Sequence, residues 1–421
     1  MKIKQFFLFF LTACVALSFT ACSDDDEGGT TVYMIPAAKT LTLTEAQKAM
    51  VEENNAFSLR LFETVLKSDT TGRAVLVSPL SASYMLGMIQ DGASSETRQQ
   101  VVEALGMDNM QKEEVNTFFH SLITQLPEED PNVTMLTANA IYTNKGYTLT
   151  SAFSSNMKKY YEAEAQSLDF GSDDALGTIN AWSAKNSEGT IPLILDQIDP
   201  NAACYLLNSI YFDAKWTKQF DKANTRDEVF TREDGSARSV AMMHNQALIQ
   251  WYADADFDAV CLPYGSGSAW NMVVLLPREG KTVAGVAADL LETGRLSQAL
   301  NNMTSGTLDV KMPKFAVSTN NNLRTLLPKL GISRMFNRNE AQLDGICEGK
   351  SLFVTQMVQR TSLDVTEEGS KATAVTVAEM SDIYNGGQLL EGSFHADHPF
   401  VYLIMERNSN AIVMAGTYTG F

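Results

Sequence analysis

Positive charge is scarce in this chain: 32 Lys and Arg stand against 50 Asp and Glu, for a formal net charge of −18. A surface with that balance repels nucleic acid, so no nucleic-acid partner is expected. Histidine is nearly missing, with only His120, His244, His395 and His398. Neither a Gly-x-Ser-x-Gly elbow nor a His-Glu-x-x-His motif occurs, so hydrolase chemistry has no visible constellation and no enzyme activity is expected. His395 and His398 bracket Ala396-Asp397, yet nothing at a recognisable spacing supplies further ligands, so no metal or other cofactor is expected. Cysteine is sparse too: Cys14 and Cys22 fall in the N-terminal region, while Cys204, Cys261 and Cys347 make an odd set without metal-like spacing. The last three are expected as buried free thiols, since Cys packs as a small hydrophobe. Linkers rich in Pro, Gly or Ser, low-complexity tracts and repeats are also missing, so residues 41–421 read as one domain despite their length.

Long apolar runs are confined to the N-terminus, where Met1-Lys2-Ile3-Lys4 precedes an almost wholly apolar Phe6 to Phe19 and then Thr20-Ala21-Cys22. The run is too short and wrongly flanked for a membrane span and reads as a signal peptide over residues 1–21. A Cys at the cleavage point resembles a bacterial lipoprotein signal, which implies acylation of Cys22 and a lipid anchor in a membrane. Phe19 departs from the usual Leu; Leu11-Thr12-Ala13-Cys14 fits that pattern better but leaves a very short apolar run. The acids that follow, Asp24 to Glu27, resemble the export signals of Bacteroidetes surface lipoproteins. Residues 22–40 then read as an acidic and polar tether, and the expected location is the outer membrane or cell surface, extracellular side.

The body opens with helices and closes with strands. Thr44-Glu45-Ala46-Gln47 is a capping-box pattern, and Phe57, Leu61 and Val65 continue it at helical spacing. Ala74 to Leu80 reads as a short strand, and Ser83 to Ile89, Thr97 to Leu105, Val115 to Leu126, Phe153 to Tyr161 and Ala175 to Lys185 read as helices. Strands are expected at Thr134 to Tyr142, Cys204 to Phe212, Ala259 to Pro263, Met272 to Pro277 and Leu308 to Phe315. Phe400 to Met405 and Ala411 to Gly416 make a closing hairpin. This order points to an α+β domain.

One stretch organises the rest, Thr366-Glu367-Glu368-Gly369-Ser370 followed by Lys371 to Glu379. From Ser370 to Ala378 come only small or β-branched residues and one Lys, without Pro or large aromatics. Taken alone, such a segment reads first as an ordinary linker between two strands, though it also has the chemistry of a strand that could enter a packed sheet. As a strand, alternation puts Ser370, Ala372, Ala374 and Thr376 on one face and Lys371, Thr373, Val375 and Val377 on the other.

Several motifs, weak singly but strong in number and order, resemble the serpin family over essentially all of residues 41–421. They are Val77-Ser78-Pro79-Leu80-Ser81; Asn180-Ala181-Trp182 with Asn186, Gly189, Thr190 and Ile191; and Leu207-Asn208-Ser209-Ile210-Tyr211-Phe212 with Lys215, Trp216 and Phe220. Met312-Pro313-Lys314-Phe315, Gly331-Ile332 with Met335-Phe336, His398-Pro399-Phe400 and Ala415-Gly416 complete the set. The resemblance implies three β-sheets, about nine helices and an exposed reactive loop on a metastable body. It implies a monomer that inhibits proteases as a suicide substrate: the loop is cleaved, inserts as a new strand, and drags the acylated protease with it. Glu367, Glu368, Gly369, Ser370, Ala372, Ala374 and Thr376 then form the loop hinge, and Ser78, Ser81, Asn208, Trp216 and Gln359 lie where the main sheet must open. The hydroxyls of Ser78 and Ser81 are read as satisfied core groups. Gln359 stands where the family often has His; it can bond near Ser78 and Ser81 but removes a pH-sensitive group from that point. Two other readings remain: a non-inhibitory carrier or chaperone, and a decoy substrate.

By the same resemblance the scissile bond follows the fourteenth residue after Gly369, which places it at Ile383-Tyr384. Between Lys371 and Arg407 the chain has no Lys or Arg, so a protease with an acidic pocket finds nothing to read. The expected targets are elastase-like first, chymotrypsin- or subtilisin-like second and papain-like third.

Overall fold

The computed structural model describes residues 38–267, 269–349, 351–370 and 391–421. Nine α-helices lie among them: α1 (Glu45–Ser68), α2 (Pro79–Gly92), α3 (Ser95–Ala104), α4 (Lys112–Gln125), α5 (Ser151–Tyr161), α6 (Asp173–Asn186), α7 (Val283–Asp289), α8 (Arg295–Asn301) and α9 (Leu323–Leu326). The strands begin with β1 (Leu76–Val77), β2 (Val133–Asn144), β3 (Glu164–Leu168), β4 (Cys204–Lys215), β5 (Arg226–Thr231), β6 (Ala237–Ala253), β7 (Phe257–Tyr264) and β8 (Trp270–Pro277). They continue with β9 (Thr304–Pro313), β10 (Phe315–Asn322), β11 (Gln356–Val365), β12 (Gly369–Ser370), β13 (Gly392–His395), β14 (Phe400–Glu406) and β15 (Ile412–Tyr418).

Local chemistry sets the helix starts. Thr44 and Gln47 exchange the two capping-box bonds at the head of α1, at 3.2 and 3.0 Å. Pro79 occupies the first turn of α2, where its missing N–H costs nothing, and Ser78 caps it by accepting from the Ser81 N–H at 3.3 Å. The helix therefore starts inside the stretch that reads as a strand end, and β1 is only two residues long. Nearly every residue of α2 is buried, so it is the central helix of the molecule. Gly87 permits that approach, because a Cβ there would meet Phe119 Cδ2 at 2.7 Å.

The main sheet runs β10-β11-β12-β4-β2-β3. The remaining strands form one hydrogen-bonded network, β1-β15-β14-β8-β7-β6-β9-β13, with β5 on β6. The second and third sheets of the expected three are joined in it. β6 is 17 residues long, pairs with β5 at its start and β7 at its end, and lies along β9 between. The main hydrophobic core lies between this network, the main sheet and the helices. A second cluster fills the outer face of the main sheet, where Ile179 and Trp182 of α6 cover Tyr142, Tyr205 and Leu207. Inward and outward residues thus alternate along β4, with Cys204, Leu206, Ile210, Phe212 and Ala214 facing the main core.

Candidate functional site

The main sheet is closed at one end and wedged open at the other. β11 and β4 pair in parallel from Gln356↔Tyr205 to Arg360↔Ser209. Beyond that point the next described residue between them is the hinge: Ser370 pairs with Val365 of β11 on one side and Ala214 of β4 on the other, and Gly369 pairs with Lys215. Gly369 and Ser370 therefore already stand in the sheet as a strand.

Only glycine fits at 369. Its φ is +151°, and a Cβ there would collide with the carbonyl oxygen of Ala214. Ser370 is fully buried and points at the main core, and its Oγ lies 2.6 Å from the hydroxyl of Tyr264. The alternation that puts Ser370 on the inserting face agrees with this direction.

Trp216 organises the edge of the opening. Its Nε1 donates to the Thr366 carbonyl at 2.9 Å, and its backbone N–H donates to that of Glu368 at 3.0 Å. The Phe220 N–H donates to the Glu367 carbonyl at 2.9 Å. Glu367 is buried and accepts from Lys314 Nζ and Thr225 Oγ1, each at 3.0 Å. Burial works to raise its pKa, but bonds from its own N–H, Lys314 and Thr225 outweigh that, so its carboxyl lies below the ordinary range. Glu368 pairs with the exposed Lys222.

The closed end is held from beneath. Gln359, fully buried, accepts from the Ser78 N–H at 2.9 Å and donates to the Ser78 carbonyl at 2.7 Å. Ser78 Oγ donates to the Val413 carbonyl at 2.8 Å. Asn208 Nδ2 donates to Asn139 Oδ1 at 2.8 Å, and Asn139 in turn bonds the Tyr161 carbonyl. The expectation for Ser81 fails: its buried Oγ has no partner among the described residues. Asn208 Oδ1 and Ser209 Oγ are likewise buried and unpartnered among the described residues, at the last β11–β4 pairs.

Glu367, Glu368, Gly369, Ser370 and Trp216 thus come together at the open end, and Ser78, Ser81, Asn208 and Gln359 at the closed end. Cys22, Ala372, Ala374, Thr376, Ile383 and Tyr384 lie outside the described residues. Cys204, Cys261 and Cys347 are buried free thiols. His395 bonds Asp309 at 2.8 Å, whereas His398 bonds Asp397 and the Pro277 carbonyl, so the pair faces different partners. Sequence reasoning gave no role to Tyr264, Lys314, Thr225 or Lys222. Only Lys314 carried a signal, as part of Met312-Pro313-Lys314-Phe315.

The main sheet is thus parted at one end, with the chain's own Gly369-Ser370 seated between β11 and β4. The family profile described as serpin (serine protease inhibitor) matches residues 52–420, and the chain belongs to the serpin family. It is 31% identical over 377 residues to the leukocyte elastase inhibitor of Equus caballus, covering 87% of this chain and 98% of that protein. Its fold matches the thermophilic serpin tengpin in the native state, at a TM-score of 0.81 and 24% identity, over 92% of this chain and 98% of that one. It also matches human thyroxine-binding globulin complexed with thyroxine, at a TM-score of 0.79 and 25% identity, over 88% and 98% of the two chains. The family is described as serine protease inhibitors, and inhibitors of that kind bind proteases.

Proposed function

We propose that this serpin traps proteases as a suicide substrate: cleavage of its loop at Ile383-Tyr384 lets residues after Ser370 continue into the main sheet. The observation that carries this reading is the double pairing of Ser370, to Val365 and Ala214, above a β11–β4 ladder that stops at Arg360 and Ser209. Continuing that register down the sheet sets Ala372 and Ala374 on the inward face and brings Thr376 opposite both Gln359 and Asn208. Small uncharged side chains suit that face, because an unpaired charge there would be buried. Roughly nine added residues bonded on both sides at about 1 kcal/mol per bond, less the β11–β4 bonds that they displace, make insertion favourable by on the order of 10 kcal/mol.

The target class follows from Ile383, which suits a pocket for medium aliphatic side chains, with Tyr384 one residue away for a chymotrypsin- or subtilisin-like enzyme. The lack of Lys and Arg from 372 to 406 speaks against trypsin-like targets. Acylation of Cys22 would display the inhibitor as an exported lipoprotein on the cell surface, held by the tether of residues 22–40.

Incubation with an elastase-like serine protease tests the reading. An SDS-stable high-mass band together with a C-terminal fragment starting at Tyr384 is the expected result. Cleavage without any stable band would leave the decoy reading, and rapid trapping of trypsin would overturn the target class.

A further inference from the structure

Tyr264, the last residue of β7, is fully buried. Its ring stacks on Trp216 with centroids 4.3 Å apart and planes 12° from parallel, and the two residues also form an isolated backbone bridge. Phe212 of β4 meets the same ring edge-on at 5.3 Å. A ring packed from two directions cannot swing, so the position of its hydroxyl is fixed by the core. That hydroxyl and Ser370 Oγ are 2.6 Å apart, both cut off from water. Burial pushes the Tyr264 phenol well above its ordinary pKa, so it stays protonated.

We propose that Tyr264 is the positioning residue of the hinge: its hydroxyl seats Ser370 in the uncleaved chain, so that insertion after cleavage starts from a pair already made. The inference rests on the inhibitory reading above. An acylated protease either deacylates or is trapped, and the outcome depends on how fast the strand grows. A seated first residue removes the slow starting step, in the way that a formed turn removes the cost of nucleating a helix. Without the seat the loop remains cleavable, but more molecules are turned over for each protease trapped.

A double-mutant cycle tests this. Tyr264→Phe keeps the ring on Trp216 and leaves Ser370 Oγ buried without a partner; Ser370→Ala leaves the Tyr264 hydroxyl in the same position. Either orphaned group should lower the seated population about tenfold. The double variant has no orphan and should recover to within about twofold of the parent, since an apolar pair of similar shape carries no such cost. Hydrogen exchange at the amides of Ser370 and Trp216 reads the seat without any protease. Inhibitor consumed per protease trapped reads its consequence, while the rate of first acylation should stay within about twofold of the parent. Faster exchange and higher consumption in both single variants, with recovery in the double, is the expected result. Unchanged exchange in the single variants, or losses that simply add in the double, would overturn the proposal. If the exchange cycle closes as expected but the parent traps no protease, the seat stands and the inhibitory reading fails. If the parent traps and exchange does not move, the seat fails and the inhibitory reading stands.

Discussion

Placing a charge at the seat is the sharpest perturbation. Ser370→Arg would put a guanidinium on the inward face of the sheet, where the native side chain is fully buried beside Tyr264. The two hinge carboxylates are already engaged, Glu367 by Lys314 and Glu368 by Lys222. The charge would therefore stay unpaired if inserted, at a cost of about 3–5 kcal/mol. The hinge can escape that cost by leaving the sheet, so the uncleaved protein should still fold. Insertion cannot escape it, because residue 370 must pass between Val365 and Ala214 before any later residue can pair. At about 1.4 kcal/mol per factor of ten, insertion should slow by on the order of 10²–10⁴. Deacylation would then win, and the variant should behave as a substrate. The assay is titration of an elastase-like protease with parent and variant, read as SDS-stable complex and as inhibitor consumed. A variant that forms covalent complex at the parental yield would refute the face assignment and the insertion path with it.

Two further outcomes follow from other parts of the molecule. Glu129 and Glu406 are both buried; burial, and then the neighbouring Glu406, hold the Glu129 carboxyl well above the ordinary range, and its Oε2 has no partner among the described residues. A carboxyl whose folded pKa is raised contributes its full stability below the unfolded value near 4.3 and loses it as pH rises toward the folded value. Glu129→Gln should thus raise the melting temperature at pH 8 by a few degrees and change it less at pH 5, as thermal scans at the two pH values would read; equal shifts would contradict this. If Cys22 carries the anchor, Cys22→Ser should release the protein from the membrane fraction, and lipid found on Cys14 instead would move the site.

The hinge was legible through the resemblance to serpins. Composition alone left the stretch open to a linker reading, and alternation only grouped Ser370 with Ala372, Ala374 and Thr376 on one face. The contacts that hold the hinge were not legible. Tyr264, Thr225, Lys222 and Lys314 lie far from it in sequence, and only the pairing of β12 with β4 brings them together. β6 escaped for a different reason. It passes from one sheet region to another, so its buried side changes along its length and no single alternation runs through it. Ser78-Pro79 misled in the other direction: it follows an apolar run like a strand end, yet Pro at a first helical turn and Ser before it start α2. Ser81 shows the limit of composition, since a small hydroxyl in a core stretch gives no sign of whether it will find a partner.

The central claim is that the uncleaved sheet is held one strand short of its most stable form, with Gly369 and Ser370 already in place. The most direct measurement is the melting temperature of the intact protein and of the same protein nicked once between Ala378 and Gln388. The nick frees the loop to fill the gap between β11 and β4, and the gain of on the order of 10 kcal/mol should raise melting by on the order of 10–20 °C. Equal melting temperatures before and after the nick would contradict the account and favour a serpin that does not inhibit.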